Sequence, residues 1–463
     1  MSMKHLRILP ALVAAILALA VASCSKNSDV LDTIPADASM VARVDVDDLL
    51  EAFDVTLAGD TIRSLPPSFT AAFGDRWDRY IPMLNQLLKS IDEDEVFVFD
   101  ADKSNYIVTA EIDDEATLEA ILKEHAVQTE SIGGFEVYDF YETAVMTRGS
   151  QLWITQQHAG NAAVEMVKTQ LERAGKRSIS KLDYAVKALD DDALYNILYT
   201  TREICGVSDA FYNIKISTRD NTLRIVSEPV GTSAAVDSLR AFYPAKAIGS
   251  RLPVVAPANA TLVASAGISG DFDWDNIIEK VTGGMTFAQA AALHSAAPVL
   301  KAVDGTITLN VVIDPNVSLY TDRVPGMNIS LEAMIKEGKM DYVSGYFNSL
   351  LGNMIPGRRA GNATVYDAGI FKMSIAEDGN ILKVNAITAG APEIGDTENY
   401  TARFEKLDGV IKVNIPSLAP MTRGQMTFGV DAVGDMTFDK STLTVTLTGV
   451  NGKFFPTILT ALQ

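Results

Sequence analysis

Apolar and polar residues alternate in short runs along this chain, which is typical of strands. Between these runs, apolar residues recur every three or four positions, which is typical of helices. In the first half the pattern predicts helices at 80–89 and 114–125. It predicts strands at 40–46, 95–99 and 106–111, a strand pair around 137–139, and a closing hairpin at 212–217 and 223–228.

The second half of the chain follows the same order. Its predicted helices lie at 288–302 and 338–351. Its predicted strands lie at 262–266, 306–313 and 328–333, around 365–367, and at 426–430 with 443–448. Many short strands joined by turns, with helices between them, predict an α+β fold with mainly antiparallel sheets.

Six short segments recur between the halves in one order, at similar spacing. PADASMVAR at 35–43 matches PANATLVAS at 257–265, and VDVDDLLE at 44–51 matches FDWDNIIE at 272–279. The other matches are VYD (137–139 and 365–367), AVMT with FKMS (144–147 and 371–374), GSQLWIT with GNILKVN (149–155 and 379–385), and NTLRIVS with STLTVTL (221–227 and 441–447). We interpret them as a tandem duplication, with similar domains at 30–245 and 250–463.

The N-terminus has the pattern of a secretory signal. Lys4 and Arg7 precede an almost wholly apolar run that ends in Val21-Ala22-Ser23, directly before Cys24. A basic start, a short apolar core and small residues before a cleavage point are typical of a signal peptide, predicted at 1–23. Cys24 in this position resembles the lipobox of bacterial lipoproteins, in which the thiol receives a diacylglyceryl group. The alternatives are an ordinary signal peptide and an uncleaved anchor.

Charge narrows the classes of partner. The 463 residues carry 59 acidic and 39 basic side chains, a net charge of −20. Such an acidic surface argues against nucleic acid, whose phosphates need lysine and arginine clusters. It also argues against charge-driven binding to anionic lipid. Membrane contact is therefore predicted through lipid on Cys24, followed by a tether at 24–29.

Candidate chemistry is sparse in this sequence. Cys205, the other cysteine, has no histidine nearby and is interpreted as a small buried apolar residue. The histidines at 125, 158 and 294 lack ligand spacing, and no nucleophile elbow, dinucleotide or P-loop motif occurs. The sequence therefore predicts no catalytic residue, no cofactor and no metal site.

Two acidic patterns offer alternatives to that prediction. Residues 271–276 begin like a calcium loop, but Asn276 and Thr282 stand where glycine and glutamate are required. The acidic runs at 92–95, 113–115 and 190–192 offer carboxylate pairs of the kind that glycoside hydrolysis needs. We interpret both patterns as helix caps and solvated boundaries.

The lipobox, the short polar tether and IPADASMVARVDVDDLLEAF at 34–53 together resemble uncharacterised Bacteroidetes-type lipoproteins of a domain-of-unknown-function family. The resemblance implies an extracytoplasmic lipoprotein and carries no catalytic residue with it. Ser25 after the cysteine agrees with the outer membrane, since aspartate there is the usual inner-membrane retention signal. The resemblance implies an outer-membrane lipoprotein that faces either the periplasm or the cell surface.

These observations favour a non-catalytic envelope lipoprotein that binds a protein or a glycan. The alternatives are a glycan-directed envelope hydrolase with scattered carboxylates and an assembly factor for outer-membrane proteins. Asymmetry separates the first two, since an enzyme commonly carries polar site residues in one copy without a counterpart in the other.

Overall fold

A computed structural model describes most of the chain from residue 29 to residue 461. The described ranges are 29–58, 61–68, 81–91, 96–102, 105–140, 143–156, 160–244, 246–249, 252–275, 278–279, 286–316, 325–352, 355–422 and 424–461. No helix among these residues is long and apolar enough to cross a membrane.

The chain divides into two compact units. Unit 1 comprises the chain up to Val236 together with the segment from Asn451 onward, and unit 2 comprises Asp237–Val450. The division lies nine residues before residue 245, the predicted end of the first domain, and the segment from Asn451 onward, predicted in the second domain, belongs to unit 1. Within each unit α and β elements are mixed, and every described strand pair is antiparallel, which confirms the predicted mainly antiparallel α and β composition.

Unit 1 is built on ten strands among its described residues. They are β1 (Met40–Val44), β4 (Val96–Asp102), β5 (Asn105–Glu111), β6 (Gln128–Ile132), β7 (Phe135–Asp139), β8 (Ala144–Arg148), β9 (Gln151–Thr155), β10 (Tyr195–Thr200), β11 (Ala210–Arg219) and β12 (Thr222–Gly231). Their order across the sheet is β6-β7-β8-β9-β5-β4-β1-β10-β11-β12. Two short strands, β2 (Thr56–Leu57) and β3 (Ile62–Ser64), form a separate hairpin.

Helices cover both faces of this sheet. The helices are α1 (Val46–Ala52), α2 (Ile81–Leu88), α3 (Glu115–His125), α4 (Asn161–Lys176), α5 (Asp183–Leu189), α6 (Thr201–Cys205), α7 (Ser233–Arg240), within which the division between units falls, and 3-10 turns at Asp29–Thr33 and Ile179–Lys181. On one face, α1, α2 and α3 bury leucines such as Leu49 and Leu118 against strand residues such as Ile154. On the other face, α4, α5 and the first turn pack over large strand side chains, among them Trp153. Strand side chains alternate between faces, so near-continuous apolar strands are expected here.

Unit 2 also has a sheet of ten strands among its described residues. They are β14 (Leu262–Ile268), β15 (Val303–Ile313), β16 (Met327–Ile335), β17 (Gly357–Ala360), β18 (Ala363–Asp367), β19 (Phe371–Asp378), β20 (Ile381–Thr388), β22 (Gly409–Ile415), β23 (Gly429–Met436) and β24 (Ser441–Thr448). Their order is β17-β18-β19-β20-β16-β15-β14-β22-β23-β24. The short strands β13 (Val255–Pro257) and β21 (Thr397–Asn399) pair separately.

The helices of unit 2 concentrate on one face. Helices α8 (Phe287–Ala302) and α9 (Met340–Gly352) pack over that face, burying Val343 and Leu351 against Leu382 of β20. On the other face, α10 (Thr401–Phe404) and the β13 segment cover Val263 and Val410 near the middle of the sheet. The last helix, α11 (Phe454–Ala461), belongs to unit 1.

The two sheets have the same strand order. Each begins with a meander of four strands, β6–β9 in unit 1 and β17–β20 in unit 2. Two strands follow in reverse sequence order, β5 and β4 or β16 and β15. The strand after the Pro-Ala turn, β1 or β14, comes next, and the three closing strands complete the sheet. The turn itself recurs: Ala36 N–H donates to Arg177 and Ala258 N–H donates to Asp396, at 2.9 and 2.6 Å. Five of the six sequence matches fall on strands that correspond in this order, and the sixth, at 44–51 and 272–279, includes residues outside the described ranges.

The predicted elements differ from the structure mainly at their ends and in what they leave out. The prediction at 426–430 is mostly wrong, because β23 runs over Gly429–Met436. The predicted strand at 40–46 ends at Val44, where Asp45 caps α1 and turns the chain into a helix. Helices α4 and α5 were not predicted.

Candidate functional site

The predicted lipid attachment residue, Cys24, lies outside the described residues, as do residues 1–23 and the acidic run at 92–95. The same holds for His158. The described histidines, His125 and His294, are exposed and lie on helices of different units. Cys205 is buried in unit 1, at 6 % exposure, in agreement with its interpretation as an apolar residue.

In the segment that begins like a calcium loop, the Asp275 carboxylate is engaged in another way. Asp275 forms an ion pair with Lys301 of α8. Trp274 N–H donates to the Phe272 carbonyl, and the two aromatic rings pack edge to face at 5.0 Å. Asn276 and Thr282, the positions that depart from the calcium pattern, lie outside the described residues.

A different set of carboxylates comes together in unit 1. Asp45, Asp48 and Asp192 each offer an oxygen, and these atoms all lie within 4.8 Å of one another. Asp45 is the N-cap of α1, where its Oδ1 accepts the Asp48 N–H at 3.0 Å. Asp45 N–H in turn donates to the Leu194 carbonyl at 3.1 Å, which holds the loop that carries Asp192 beside the cap. We call these three residues the acidic cluster.

Partial burial and neighbouring negative charges alter the ionisation of the acidic cluster. Partial loss of water around its carboxyl, then the charges of Asp45 and Asp192, raise the pKa of Asp48 from 3.8 to about 6. A carboxyl of this kind holds its proton at pH values where ordinary aspartates are ionised. Such groups serve as proton donors in enzymes, and three carboxylates also suit a hard cation such as calcium.

A polar network lies at the end of α5, in the loop that carries Asp192. Asn213 Nδ2 donates to the Ala188 carbonyl, and Asn196 Nδ2 and Arg43 Nη1 both donate to the Leu189 carbonyl. These donors satisfy carbonyls that the helix end leaves without partners. Lys215 Nζ completes the network through ion pairs with Asp191 and Glu228. The network fixes the loop, and with it the position of Asp192.

A second candidate surface emerges from comparing the two sheets. In unit 1, the face beneath α4 and α5 carries Phe99, Ile107 and Trp153, each at most 1 % exposed. In unit 2, strands at the same places in the order carry polar side chains on the same face. They are Asn310 of β15, Ser330 and Glu332 of β16, and Lys383 and Asn385 of β20. We call these five residues the polar face.

Strand alternation and pairing define the polar face. Leu331 and Leu382 point into the helix-packed core of unit 2, so Ser330 and Lys383 point away from it. Ser330 lies opposite both Asn310 and Asn385, and Glu332 lies opposite Lys383. The β20–β22 connection contains only β21 and α10, whereas the matching connection in unit 1 contains α4 and α5.

Hydrogen bonds and ion pairs leave part of the polar face available. Asn310 Nδ2 donates to the Val255 carbonyl at 3.1 Å, while its buried Oδ1 has no partner in the described structure. Lys383 Nζ lies 2.9 Å from Asp378 and 4.0 Å from Glu332. Asn385 is exposed. The surface thus combines amide and hydroxyl groups with largely neutralised charges.

Sequence reasoning identified neither surface. The run containing Asp192 was recognised as acidic, but its approach to Asp45 depends on a backbone bond across the sheet. The polar face had a visible signal in the alternation Leu382-Lys383-Val384-Asn385, which is typical of a strand with one solvated face. The matching segment Leu152-Trp153-Ile154 is apolar throughout, so the difference between the copies could have been found by aligning them.

Comparison with known proteins adds no assignment. No protein-family model matches this chain, and no curated protein does. Two solved structures, titled as crystal forms I and III of TP0453, align with it at 8 % sequence identity and a TM-score of 0.24. Each alignment covers 78 % of this chain, and 94 % or 95 % of the other. Similarity at this level carries no argument about fold or function.

Proposed function

We propose that this chain is a lipid-anchored lipoprotein of the bacterial cell envelope with a non-catalytic binding role. The observation that carries the anchor is the apolar run ending in Val21-Ala22-Ser23 before Cys24. One buried acyl chain holds a protein to a membrane only marginally, whereas two or more hold it stably. A diacylglyceryl group on Cys24 is therefore a sufficient anchor for a body with a net negative charge.

We further propose that the two units arose by tandem duplication. The shared strand order, the recurring Pro-Ala turn and the five matches on corresponding strands support it. Duplication followed by divergence also accounts for the polar face, because the matching connection carries the longer helices α4 and α5 in the first copy and only β21 and the four-residue α10 in the second.

The polar face is the binding surface in this proposal, and a neutral glycan is the ligand class that suits it. The exposed amide of Asn385 and the partly exposed hydroxyl of Ser330 can both donate and accept, as sugar hydroxyls require. The net charge of −20 disfavours an acidic polysaccharide. The polar face occurs in unit 2 and its counterpart in unit 1 is apolar. A difference of this kind between the copies is also compatible with an enzyme site.

The anchor is tested by substituting Cys24. Cys24→Ser is expected to leave the precursor unprocessed or to release the protein from washed membranes. Intact-mass analysis of the wild-type protein is expected to show an acylated N-terminal cysteine at residue 24. A wild-type mass without acyl groups would refute the anchor.

The binding surface is tested on immobilised neutral polysaccharides from the envelope. The chain from residue 30 is expected to be retained, and Asn385→Ala is expected to weaken retention. Asn316→Ala is the control, since Asn316 is an exposed asparagine in a turn of the same unit. Equal retention of both variants would place binding elsewhere.

A second candidate function is supported by the acidic cluster. Retaining glycoside hydrolases use two carboxyl groups about 5–5.5 Å apart, one of them with a raised pKa, and here one oxygen from each carboxyl of the acidic cluster lies within 4.8 Å of the others. Asp48, with its pKa of about 6, would be the proton donor, and Asp45 or Asp192 the partner. Turnover of a glycan substrate that is lost in Asp48→Asn would support this function.

A further inference from the structure

The last helix of the chain belongs to the first unit. Strand β24 ends at Thr448 in unit 2, and from Asn451 the chain lies in unit 1, where it forms α11. A helix of eight residues has little stability by itself in water, so its conformation must come from packing. The contacts of α11 in unit 1 therefore determine whether it forms.

Those contacts centre on the end of α1. The ring of Phe455 stacks on Phe53, with centroids 4.8 Å apart and planes 7° from parallel. Phe455 also packs against the core that α1, α2 and α3 share. Phe454 is 9 % exposed and packs edge to face on Phe455 at 5.7 Å.

Polar contacts fix the same junction. Lys453 Nζ donates to the Glu51 carbonyl at 2.6 Å, in the last turn of α1, where that carbonyl also accepts the Asp54 N–H at 2.9 Å. It also lies 3.7 Å from the Glu51 carboxylate and 3.6 Å from Asp54. A cation at a helix C-terminus interacts favourably with the helix dipole. Phe454 N–H donates to the Asp220 carbonyl at 2.8 Å, in the turn between β11 and β12.

The corresponding turn of unit 2 has an analogous partner. Arg240, the last residue of α7, donates to Asp439 Oδ1 at 2.7 Å, in the turn between β23 and β24. Its guanidinium lies 4.0 Å from the centroid of the Phe438 ring. Thus α11, which follows β24 in sequence, fixes the β11–β12 turn, and α7, which follows β12 in sequence, fixes the β23–β24 turn.

We propose that residues 451–461 form a C-terminal clamp that completes unit 1. Without this clamp, the Phe53 ring and the end of α1 become more exposed to solvent. Helix α1 lies near the start of the sequence, and the residues that pack on its end lie near residue 455. Unit 1 then reaches its final stability only when the last residues of the chain have docked. The acidic cluster depends on the packing of α1 as well, since Asp48 lies on that helix.

Hydrogen–deuterium exchange on the full chain tests the clamp. Phe455→Ala is expected to speed amide exchange at Val46–Ala52 and at residues 219–222 by about tenfold or more, because both segments lose a docked partner. Exchange in β15 of unit 2 is expected to stay unchanged. Thr460→Ala is the matched control, since Thr460 is an exposed residue on the same helix.

A second variant keeps the test decisive if Phe455→Ala does not fold. Lys453→Ala removes only the bond to Glu51 and its two ion pairs, and it is expected to speed exchange at Val46–Ala52 to a smaller extent. The clamp is refuted if both variants leave these segments as protected as in wild type. It is also refuted if exchange rises equally in unit 2.

Discussion

At the scale of single residues, Asp48 gives this molecule a pH dependence. Its folded pKa of about 6 lies above the ordinary value of 3.8, so the folded state binds a proton more tightly than the unfolded state. Ionising Asp48 therefore costs stability: the cost is absent below the unfolded pKa, grows as the pH rises, and is complete above the folded pKa.

We predict that Asp192→Asn stabilises the protein at neutral pH. Removing one repelling charge should lower the pKa of Asp48 toward 3.8 and raise the melting temperature at about pH 7.5, with little gain at about pH 4. Thermal melts at both pH values check this. Glu124→Gln, an exposed change on α3, is the control. An equal gain at both pH values would contradict the electrostatic explanation.

The same residues allow a test for metal binding. We predict that metal-stripped protein melts at the same temperature with and without micromolar calcium or zinc. If calcium raises the melting temperature by several degrees, Asp192→Asn and Asp273→Ala distinguish the acidic cluster from the segment at 271–276. Loss of the rise in one variant alone would locate the ion.

The six sequence matches differ in how well they report structural equivalence. Gly149 and Gly379 both begin two-residue turns with φ near +60°, a conformation that favours glycine, so this match reflects a backbone requirement. The match of AVMT with FKMS is one residue out of register. Asp139 lies opposite Ala144, whereas Asp367 lies opposite Lys372. Because both segments are largely apolar, the sequences do not reveal this one-residue shift in the alignment. In the structure, a shift of one residue exchanges the two faces of a strand.

At the scale of elements, helix α3 depends on its N-cap residue, Asp114. Asp114 accepts the Thr117 N–H at 3.0 Å and the Thr117 hydroxyl at 2.6 Å, and these bonds lower the pKa of Asp114. We predict that Asp114→Ala lowers the melting temperature at neutral pH, while Asp114→Asn, which still caps a helix, lowers it less. Because the folded pKa is depressed, the stabilisation disappears as the pH falls through it.

The helix-packed core of unit 1 is predicted to be far more sensitive than exposed apolar positions. Leu118 on α3 is 1 % exposed, so Leu118→Ala should cost about 2–5 kcal/mol of unfolding free energy. Leu350 on α9 is 51 % exposed, and Leu350→Ala should change stability by about 0.5 kcal/mol or less. Chemical denaturation measures both. Similar losses in the two variants would contradict the assigned burial.

Elements shared by both halves were easier to predict than elements present in one half. The strands at 106–111 and 306–313 and the helix at 114–125 agree with the structure to within about three residues. The matching connection of unit 2, residues 389–408, holds only β21 and the short α10, so comparing the halves gave no signal for helices α4 and α5. The two surfaces were missed for a related reason, since both depend on which strands become neighbours.

At the scale of the whole molecule, chain connectivity differs from the simplest interpretation of a repeat. Two similar halves suggest two domains that end where each copy ends. Instead, Asn451–Gln463 joins unit 1, because the stacking of Phe455 on Phe53 and the Lys453 contacts outweigh sequence proximity. Such non-local choices depend on three-dimensional packing, which periodicity along the sequence does not report.

The remaining prediction separates binding from catalysis in the soluble body, residues 30–463. We expect no turnover on panels of esterase, peptidase and glycosidase substrates, together with retention on an envelope polysaccharide. Among the described residues, carboxylates meet at Asp45, Asp48 and Asp192, so we expect any glycosidase activity to depend on them. A glycosidase that uses Asp48 as its acid should lose activity above about pH 6, as that carboxyl gives up its proton. Turnover with this pH limit, abolished by Asp48→Asn while polysaccharide retention persists, would establish the hydrolase and reject the purely binding role.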